Sequence, residues 1–246
     1  MKDYFSEQSD SYAQFRPSYP EEFFTYLDQL LPTKNNAWDC GTGNGQVAIR
    51  LAKMFENVFA TDISQAQINN AFQAKNIHYS LQTAEKTNFT EQIFDLIVAA
   101  QAVHWFDFER FYAEVRRTAK KNALLVLIGY GRVQILEPID KIIDNFYFNV
   151  LGQYWDKERK YIDEHYQTIP FPFEELQTPT FTHTYTWSLE HLIGYLGTWS
   201  AVKKFRKQKG YNPLKQLRTQ IEEIFDTQKS FEVHFPILLR IGRVRN

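Results

Sequence analysis

Cysteine is nearly absent from this sequence of 246 residues, since Cys40 is its single thiol. One thiol cannot form a disulfide within the chain, and it cannot build the thiolate cluster of a structural zinc site. The six histidines are scattered and show no HExxH or similar spacing. We therefore expect no metal centre, and we expect Cys40 to be a small core residue.

The sequence also lacks an excess of charge and a long apolar segment. Lys and Arg number 28 against 29 Asp and Glu, so the net charge of −1 gives no global attraction to nucleic acid or anionic lipid. The longest strongly apolar run, ALLVLI, is too short to span a bilayer, and the first residues do not resemble a secretion signal. These features predict a cytoplasmic protein that acts on neither nucleic acid nor membranes.

What the sequence does contain is an alternation of strand and helix patterns through its first half. Apolar runs of strand length alternate with amphipathic stretches, which is typical of a parallel sheet covered by helices. Strands are predicted at 36–41, 57–63, 77–84, 94–101 and 122–131, and helices at 44–55, 64–75 and 108–121. Five strands with their helices in about 130 residues match the size of a doubly wound domain.

The pattern changes after residue 131, where helical stretches dominate. Two strand-like stretches, 180–188 and 231–244, interrupt them and are predicted to pair as an antiparallel hairpin at the sheet edge. Because no linker rich in Pro, Gly or Ser separates the two halves, we expect a single domain over 1–246. Its parts are amino-terminal lid helices at 1–34, a cofactor-binding core at 35–131, a helical cap with the sixth strand at 132–230, and a final antiparallel strand at 231–246. The predicted fold class is α/β: a Rossmann-like, doubly wound, mostly parallel sheet of seven strands, with helices on both faces and a helical cap inserted after the fifth strand.

Three glycines lie within five residues, between the first strand and the first helix, in the segment WDCGTGNGQ. Glycine adopts positive φ without strain and leaves room for a ligand against the backbone, so Gly41, Gly43 and Gly45 predict a nucleotide-like cofactor. The spacing is not the GxGxxG of dinucleotide sites, and no GxxxxGK[ST] lysine is present to cradle a phosphate. Asp62, at the end of the second strand, suits the ribose hydroxyls of an adenosine. Asp39, beside the loop, repels a pyrophosphate and attracts a cationic cofactor.

These residues resemble the class I S-adenosylmethionine-dependent methyltransferases. WDCGTGNGQ is similar to their glycine-rich first motif, ATDIS to the second with its ribose acid, TAEKTNF to the third, which flanks adenine, and FDLIVAAQAVHWFD to the segment beneath the methyl group. YAQFRPSYP, AVHWFD and YLGTWSAV resemble segments of the trans-aconitate methyltransferase-like group of small-molecule methyltransferases. KKNALL, before the fifth strand, departs from the family's usual Pro-Gly-Gly turn. The resemblance implies S-adenosyl-L-methionine as the cofactor.

The resemblance also implies a cofactor site at the ends of the first strands and in the amino-terminal segment. Its residues are Tyr12, Arg16, Tyr19, Asp39, Gly41, Thr42, Gly43, Gly45, Asp62, Ile63, Ala84, Glu85, Ala100 and Gln101. For Asp62 the alternative is a helix cap shared with Ser64, and for Glu85 it is a solvated loop acid. Arg16 would pair with the cofactor's carboxylate from a lid that folds over the pocket, or lie on the surface beside its neighbouring prolines.

His104 and Trp105 follow the fourth strand and are the candidate catalytic pair. Trp105 would shield the sulfonium from water, and His104 would bond the acceptor or accept its proton; the alternative is a packed aromatic pair. Tyr195 and Trp199 are candidate substrate-binding residues, or core aromatics. The basic run KKFRKQKG beside them would attract an acidic acceptor, or it is a solvated helix face.

The sequence therefore predicts an enzyme that transfers a methyl group from S-adenosylmethionine to a small-molecule acceptor, and the resemblance points to a carboxylic acid. Holding the two reactants at near-attack distance would do most of the work, and a carboxylate acceptor would need no base. The chain is expected to act as a monomer or a homodimer. Two alternatives stay open: an RNA- or protein-directed methyltransferase, suggested by the lysine-rich run, and a catalytically silent protein that binds the cofactor.

Overall fold

One sheet runs through the computed structural model, which describes residues 15–226 and 229–245. Its strands are β1 (Asn36–Cys40), β2 (Asn57–Asp62), β3 (Ile77–Leu81), β4 (Phe94–Ala100), β5 (Ala119–Tyr130), β6 (Glu174–Glu175), β7 (Thr182–Trp187) and β8 (Phe231–Arg243). They lie in the order β3-β2-β1-β4-β5-β8-β6, and β7 pairs with β8 outside this path. The first five strands are parallel, and β8 runs antiparallel to β5.

Helices cover both faces of this sheet. The α-helices are α1 (Glu21–Leu30), α2 (Ala48–Leu51), α3 (Gln65–Asn69), α4 (Phe108–Thr118), α5 (Glu137–Asn145), α6 (Lys160–Asp163), α7 (Leu189–Gly197), α8 (Ser200–Lys209) and α9 (Leu214–Glu222). Shorter helical turns of the 3₁₀ type lie at Val103–Trp105, Gly152–Tyr154 and Lys157–Arg159, and a π-helical turn lies at Phe146–Val150. The prediction of a doubly wound α/β fold with a mostly parallel sheet is confirmed.

Burial explains why the central strands read as apolar runs in the sequence. All residues of β4 except the last are buried, as expected of a parallel strand covered on both sides. One apolar cluster packs α1 and α2 against one face of the sheet, and a second packs α4 against the other. The helices between β5 and β8 extend the first cluster, because Ile139, Leu192 and Val202 are buried in it.

The carboxyl-terminal part of the sheet differs from the prediction in strand number. Residues 182–187 and 231–236 do pair in antiparallel register, as predicted, although three helices connect them instead of a tight turn. The described residues form eight strands and not seven, because Glu174 and Glu175 pair with the far end of β8. Two exposed acidic residues carry no apolar alternation, so no strand pattern marks them in the sequence.

Three helices are shorter than the sequence predicts, and one of them, predicted at 108–121, ends at Thr118, where β5 begins. Regular α-helix begins at Ala48 and not at residue 44, because Gly43 and Gly45 hold positive φ, which a right-handed helix excludes. The helix capped by Ser64 ends at Asn69, where two consecutive asparagines favour a turn. The predicted cap itself is confirmed, since Ser64 Oγ accepts a hydrogen bond from the backbone N–H of Gln67.

Candidate active site

A pocket opens where the strand order reverses, at the carboxyl ends of β1 and β4. Open α/β sheets bind their ligands at this position. The space between the lining residues, with the open mouth included, is about 970 Å³. The predicted site residues that line it are Arg16, Tyr19, Asp39, Gly41, Thr42, Gly43, Asp62, Ile63, Ala84, Ala100, Gln101 and Trp105. The fold therefore brings together residues from the amino-terminal segment and from the ends of four strands.

The three glycines of the loop after β1 have different surroundings. All three hold positive φ, from +56° to +80°. A Cβ at Gly41 would lie 2.7 Å from Ala102 Cβ, and one at Gly45 would collide with the Tyr79 hydroxyl, so packing requires glycine at both positions. At Gly43 the nearest atom is Gln67 Oε1, at 3.9 Å. Gly43 therefore leaves space on the pocket side, whereas Gly45 does not line the pocket.

Asp62 fixes the shape of this loop from the end of β2. Its Oδ2 accepts a hydrogen bond from the Gly43 N–H at 2.8 Å, and its Oδ1 accepts one from the Ser64 N–H at 2.9 Å. The side chain that caps α3 is that of Ser64 and not that of Asp62, because Ser64 accepts the hydrogen bond from the first turn of the helix. Asp62 therefore lies on the pocket wall with its carboxylate held by backbone N–H groups, and its ribose-binding role stays a prediction.

Asp39 places a buried carboxyl group at the base of the pocket. Thr42 Oγ1 donates to its Oδ2 at 2.6 Å, and its Oδ1 has no hydrogen-bond partner among the described residues. Burial raises the pKa of Asp39 to about 7, against the lowering effects of the Thr42 hydroxyl and the Ala48 backbone N–H, and the charge of Asp62 adds to the rise. A cationic ligand group would supply the missing partner and favour the ionised form.

Gln101, directly after β4, is held in an unusual conformation on the pocket wall. Its φ is +52°, in the left-handed region that non-glycine residues rarely occupy. Its backbone N–H donates to Ile128 O at 2.8 Å, and its side-chain Nε2 donates to Tyr130 O at 3.0 Å. The Tyr166 hydroxyl donates to Gln101 Oε1 at 3.4 Å. Three hydrogen bonds thus hold a strained backbone beside the pocket.

His104 and Trp105 lie in the short helix that follows Gln101, with ring centroids 5.0 Å apart. Trp105 lines the pocket, whereas His104 is buried beside it. His104 Nδ1 has no hydrogen-bond partner among the described residues. Burial and the charges of Arg159 and Arg16 lower the pKa of His104 to about 3. The imidazole is therefore neutral at physiological pH. The catalytic roles of His104 and Trp105 stay predictions.

Other predicted residues lie outside the pocket wall. Glu85 accepts a hydrogen bond from the backbone N–H of Asp107 at 3.2 Å. Tyr195 and Trp199 are buried in the apolar core, with ring centroids 5.9 Å apart. Their connection to the pocket runs through Arg16, whose guanidinium lies 5.9 Å from the Tyr195 ring. Tyr12 lies outside the described residues.

Several lining residues were not among the predicted site residues. They are Pro17, Asn44, Gln46, Val47, Ser64, Gln67, Gln82, Ala102, Phe106 and Tyr130. Residues 44–47 directly follow the glycine loop, and Tyr130 ends the strand next to β4, so the rule that ligands bind at strand ends points to them. Gln82 directly follows β3, so the same rule points to it, whereas Gln67 carries no such signal in the sequence.

Comparison with known proteins identifies the family of this chain. Residues 38–127 match the family described as "Methyltransferase domain". A protein named as a methyltransferase of Dictyostelium discoideum is 34% identical over 249 residues, which cover 98% of this chain and 95% of that protein. The chain belongs to the S-adenosylmethionine-dependent methyltransferases.

Solved methyltransferase structures share the fold of this methyltransferase. A structure described as a type II methyltransferase from Anaeromyxobacter dehalogenans is 37% identical, with a TM-score of 0.86 over 94% of this chain and 99% of that chain. Phosphoethanolamine N-methyltransferase 2 of Haemonchus contortus, solved with phosphomonomethylethanolamine and S-adenosylhomocysteine, is 14% identical. Its TM-score is 0.50 over 99% of this chain and 58% of that chain, which is a likeness of fold.

S-adenosylmethionine is the cofactor of this methyltransferase, as predicted. Two observations fit it to the pocket. The unpartnered Oδ1 of Asp39 suits a ligand that carries positive charge, and the open space beside Gly43 lets a ligand lie against the loop. In 15–226 and 229–245, none of the helices has the length and apolar character needed to cross a membrane.

Proposed function

We propose that this methyltransferase acts on a small-molecule acceptor, and that the acceptor is a carboxylic acid, as the resemblance to the trans-aconitate methyltransferase-like group implies. The observation that carries the proposal is that Arg16, Pro17 and Tyr19 of the same chain line the strand-end pocket from its amino-terminal side. A pocket bounded in this way suits a molecule of metabolite size better than a polymer. The helices α5 to α9 then act as a cap over the acceptor, and the amino-terminal segment acts as a lid.

Different pocket residues bind different parts of the cofactor. Asp39 faces the cationic methionine end, and Arg16 pairs with the carboxylate at that end. Asp62 accepts from the ribose hydroxyls with its carboxylate oxygens. Ile63 and Ala84 flank the adenine. Trp105 excludes water from the reacting centre.

His104 is proposed to hold the acceptor and not to take its proton. A general base works best when its pKa lies near the operating pH, and the pKa of His104, about 3, lies far below it. When bound, the cofactor would supply a methyl group on a positively charged sulfur, which would leave as a neutral thioether as an acceptor oxygen bonds to the methyl carbon. A carboxylate acceptor is already ionised, so positioning by the chain is sufficient.

Incubation of the full chain with a metabolite extract and S-adenosylmethionine labelled in its methyl group tests this function. We expect label in a compound of low mass that alkaline hydrolysis releases as methanol, because a methyl ester is labile to base. The matched control is Gly43→Ala, which fills the cofactor side of the pocket. Label confined to RNA or protein, or retention of the chain by labelled RNA, would favour the polymer-directed alternative instead.

A further inference from the structure

Arg159 is a guanidinium close to the proposed reaction site that no prediction includes. It ends the 3₁₀ turn Lys157–Arg159, which packs against the turn Val103–Trp105 that carries His104. Its side chain is only 18% exposed. A partly buried cation needs a compensating partner, and its partners are therefore informative.

Aromatic rings hold Arg159 in place but leave its charge incompletely neutralised. Its Nε donates to Tyr147 Oη at 2.8 Å, and its guanidinium lies 5.4 Å from the Tyr147 ring and 4.9 Å from the Trp155 ring. The nearest carboxylate oxygen, of Asp163, is 3.8 Å from Nε and also accepts from Tyr147. Within 15–226 and 229–245 its two Nη atoms donate no hydrogen bond. The fork that binds an oxyanion is thus available.

A second guanidinium, that of Arg16 in the amino-terminal segment, acts electrostatically on the same imidazole. Arg16 lines the pocket and donates from Nη1 to Tyr130 Oη at 2.9 Å. The charges of Arg159 and Arg16 both act on His104, whose pKa they lower together with burial. His104 Nδ1 is buried without a partner among the described residues. The unsatisfied imidazole of His104 is thus influenced by two cations and lies in the turn that follows Gln101.

We propose that Arg159, with His104 beside it, forms a subsite that binds an oxyanion of the methyl acceptor, a carboxylate or a phosphate. This inference rests on the proposed function, because the subsite adjoins the pocket of the methyl donor. The two Nη donors of Arg159 match two oxygens of one anionic group. The aromatic rings behind the guanidinium restrict its motion and exclude water, which strengthens its attraction for the anion. Arg159 then selects acceptors by charge.

Binding of small probes to the full chain, saturated with S-adenosylhomocysteine, tests the subsite. The probes are succinate, inorganic phosphate and uncharged succinamide at constant ionic strength. Calorimetry follows their binding, and so does the intrinsic tryptophan fluorescence, to which Trp155 beside Arg159 contributes. We expect at least one anion to bind tenfold or more tightly than succinamide. Tighter binding of succinate identifies a carboxylate subsite, and tighter binding of phosphate identifies a phosphate subsite.

Substitutions separate Arg159 from other arginines of the same region. Arg159→Gln should weaken anion binding tenfold or more, and Arg159→Lys, which keeps the charge but loses the fork, should weaken it less. Arg132→Gln is the matched control, because Arg132 also packs on Tyr147, at 5.2 Å, but pairs with Asp144. It should leave anion affinity unchanged.

Two results would overturn the subsite while leaving the proposed function intact. One is equal binding of succinamide and the anions, and the other is unchanged anion affinity in both Arg159 variants. The affinity for S-adenosylhomocysteine, measured in the same samples, distinguishes a failure of the subsite from a failure of the proposed function. If the unmodified chain does not bind S-adenosylhomocysteine, the proposed cofactor site is wrong. If the Arg159 variants bind it as the unmodified chain does, they are folded.

Discussion

The Tyr166 hydroxyl lies 3.4 Å from Gln101 Oε1, and both residues hold positive φ, +62° and +52°. Each such residue costs roughly 1 kcal/mol or more, so packing must impose both conformations. Arg240 of β8 supplies part of that packing. Its Nη1 donates to Tyr166 O at 3.2 Å and to Ile169 O at 2.6 Å, and its other nitrogens pair with Glu175. The sheet edge is thereby connected to the pocket wall.

Tyr166→Phe is expected to weaken cofactor binding although Tyr166 does not line the pocket. The change removes one oxygen, and Gln101 loses a bond that holds it in the left-handed region. We expect a rise of about threefold to tenfold in the dissociation constant of S-adenosylhomocysteine, and a loss of about 0.5–1.5 kcal/mol in the free energy of unfolding. Calorimetry and urea unfolding measure the two effects.

Tyr112→Phe is the control for this substitution. The Tyr112 hydroxyl is also largely buried and donates to Pro170 O at 2.6 Å, away from the pocket. It should cost similar stability without changing cofactor affinity. An equal loss of affinity in both variants would mean that Tyr166 acts only through general stability.

Gly43→Ala should mainly weaken cofactor binding, whereas Gly45→Ala should mainly lower the stability of the fold. Alanine at 43 meets open space, so it costs about 1 kcal/mol of strain but places a methyl group in the pocket. We expect a loss of cofactor affinity of tenfold or more from a folded protein. Alanine at 45 collides with Tyr79, and we expect a loss of about 2–5 kcal/mol in unfolding free energy. Thermal unfolding with and without S-adenosylhomocysteine distinguishes the two outcomes. A stable Gly43→Ala protein that binds the cofactor product with full affinity would show that the cofactor does not lie against Gly43.

Cofactor affinity should depend on pH through Asp39. Below its folded pKa of about 7 the carboxyl group is protonated, and a cationic ligand must displace that proton. The affinity for S-adenosylmethionine should therefore rise about tenfold from pH 6 to pH 8 and level off above that. Asp39→Asn should bind weakly at pH 8, with a flatter profile. An unchanged slope in this variant would assign the titration to another group.

Asp39 also affects the stability of the protein without ligand, in the opposite direction. Its folded pKa is raised, so between its ordinary value of 3.8 and about 7 the folded chain holds a proton that the unfolded chain releases. Stability from this group therefore falls as pH rises through that window. Asp39→Asn should remove this decrease, as urea unfolding at pH 5 and pH 8 would show.

The contribution of Asp95 to stability should change with pH in the opposite direction to that of Asp39, because the pKa of Asp95 is lowered. Burial opposes its charge, but hydrogen bonds from Lys120, Thr33 and Asn36 outweigh burial. Its stabilising contribution is present above an ordinary carboxyl pKa and is lost as pH falls below about 4. Asp95→Asn should cost about 1–3 kcal/mol at pH 7 and less at pH 3.5. Asp28→Asn, which breaks the exposed pair with Lys34, is the control and should cost under about 1 kcal/mol.

Local patterns were sufficient for the strands that position the cofactor. The ends of β1, β2 and β4 carry Asp39, Asp62 and Gln101, and the apolar runs that precede them placed each end within one residue. Helix ends were less accurate, because the left-handed backbone at Gly43 and Gly45 depends on contacts with Tyr79 and Asp62 that only the fold creates.

The acceptor side was much harder to read from the sequence. Tyr166 and Arg159 follow β4 by more than fifty residues, in a segment without strand alternation. Their contacts with Gln101 and with the turn of His104 are set by how the helices pack, which no short motif records. Aromatic spacing left Tyr195 and Trp199 as either substrate-binding residues or core aromatics, and the structure shows both buried in the core.

The long strand β8 also governs when this protein can finish folding. It pairs with β5 across roughly 110 residues of chain, and with β6 and β7 as well. At synthesis rates of about 5–20 residues per second, the edge of β5 emerges from the ribosome roughly 5–20 seconds before its partner exists. That edge carries the apolar run LLVLI, which can pair with strands of other nascent chains during the delay. Yield during expression should therefore depend on chaperone supply and on translation speed after residue 130, more than on the stability of the finished molecule.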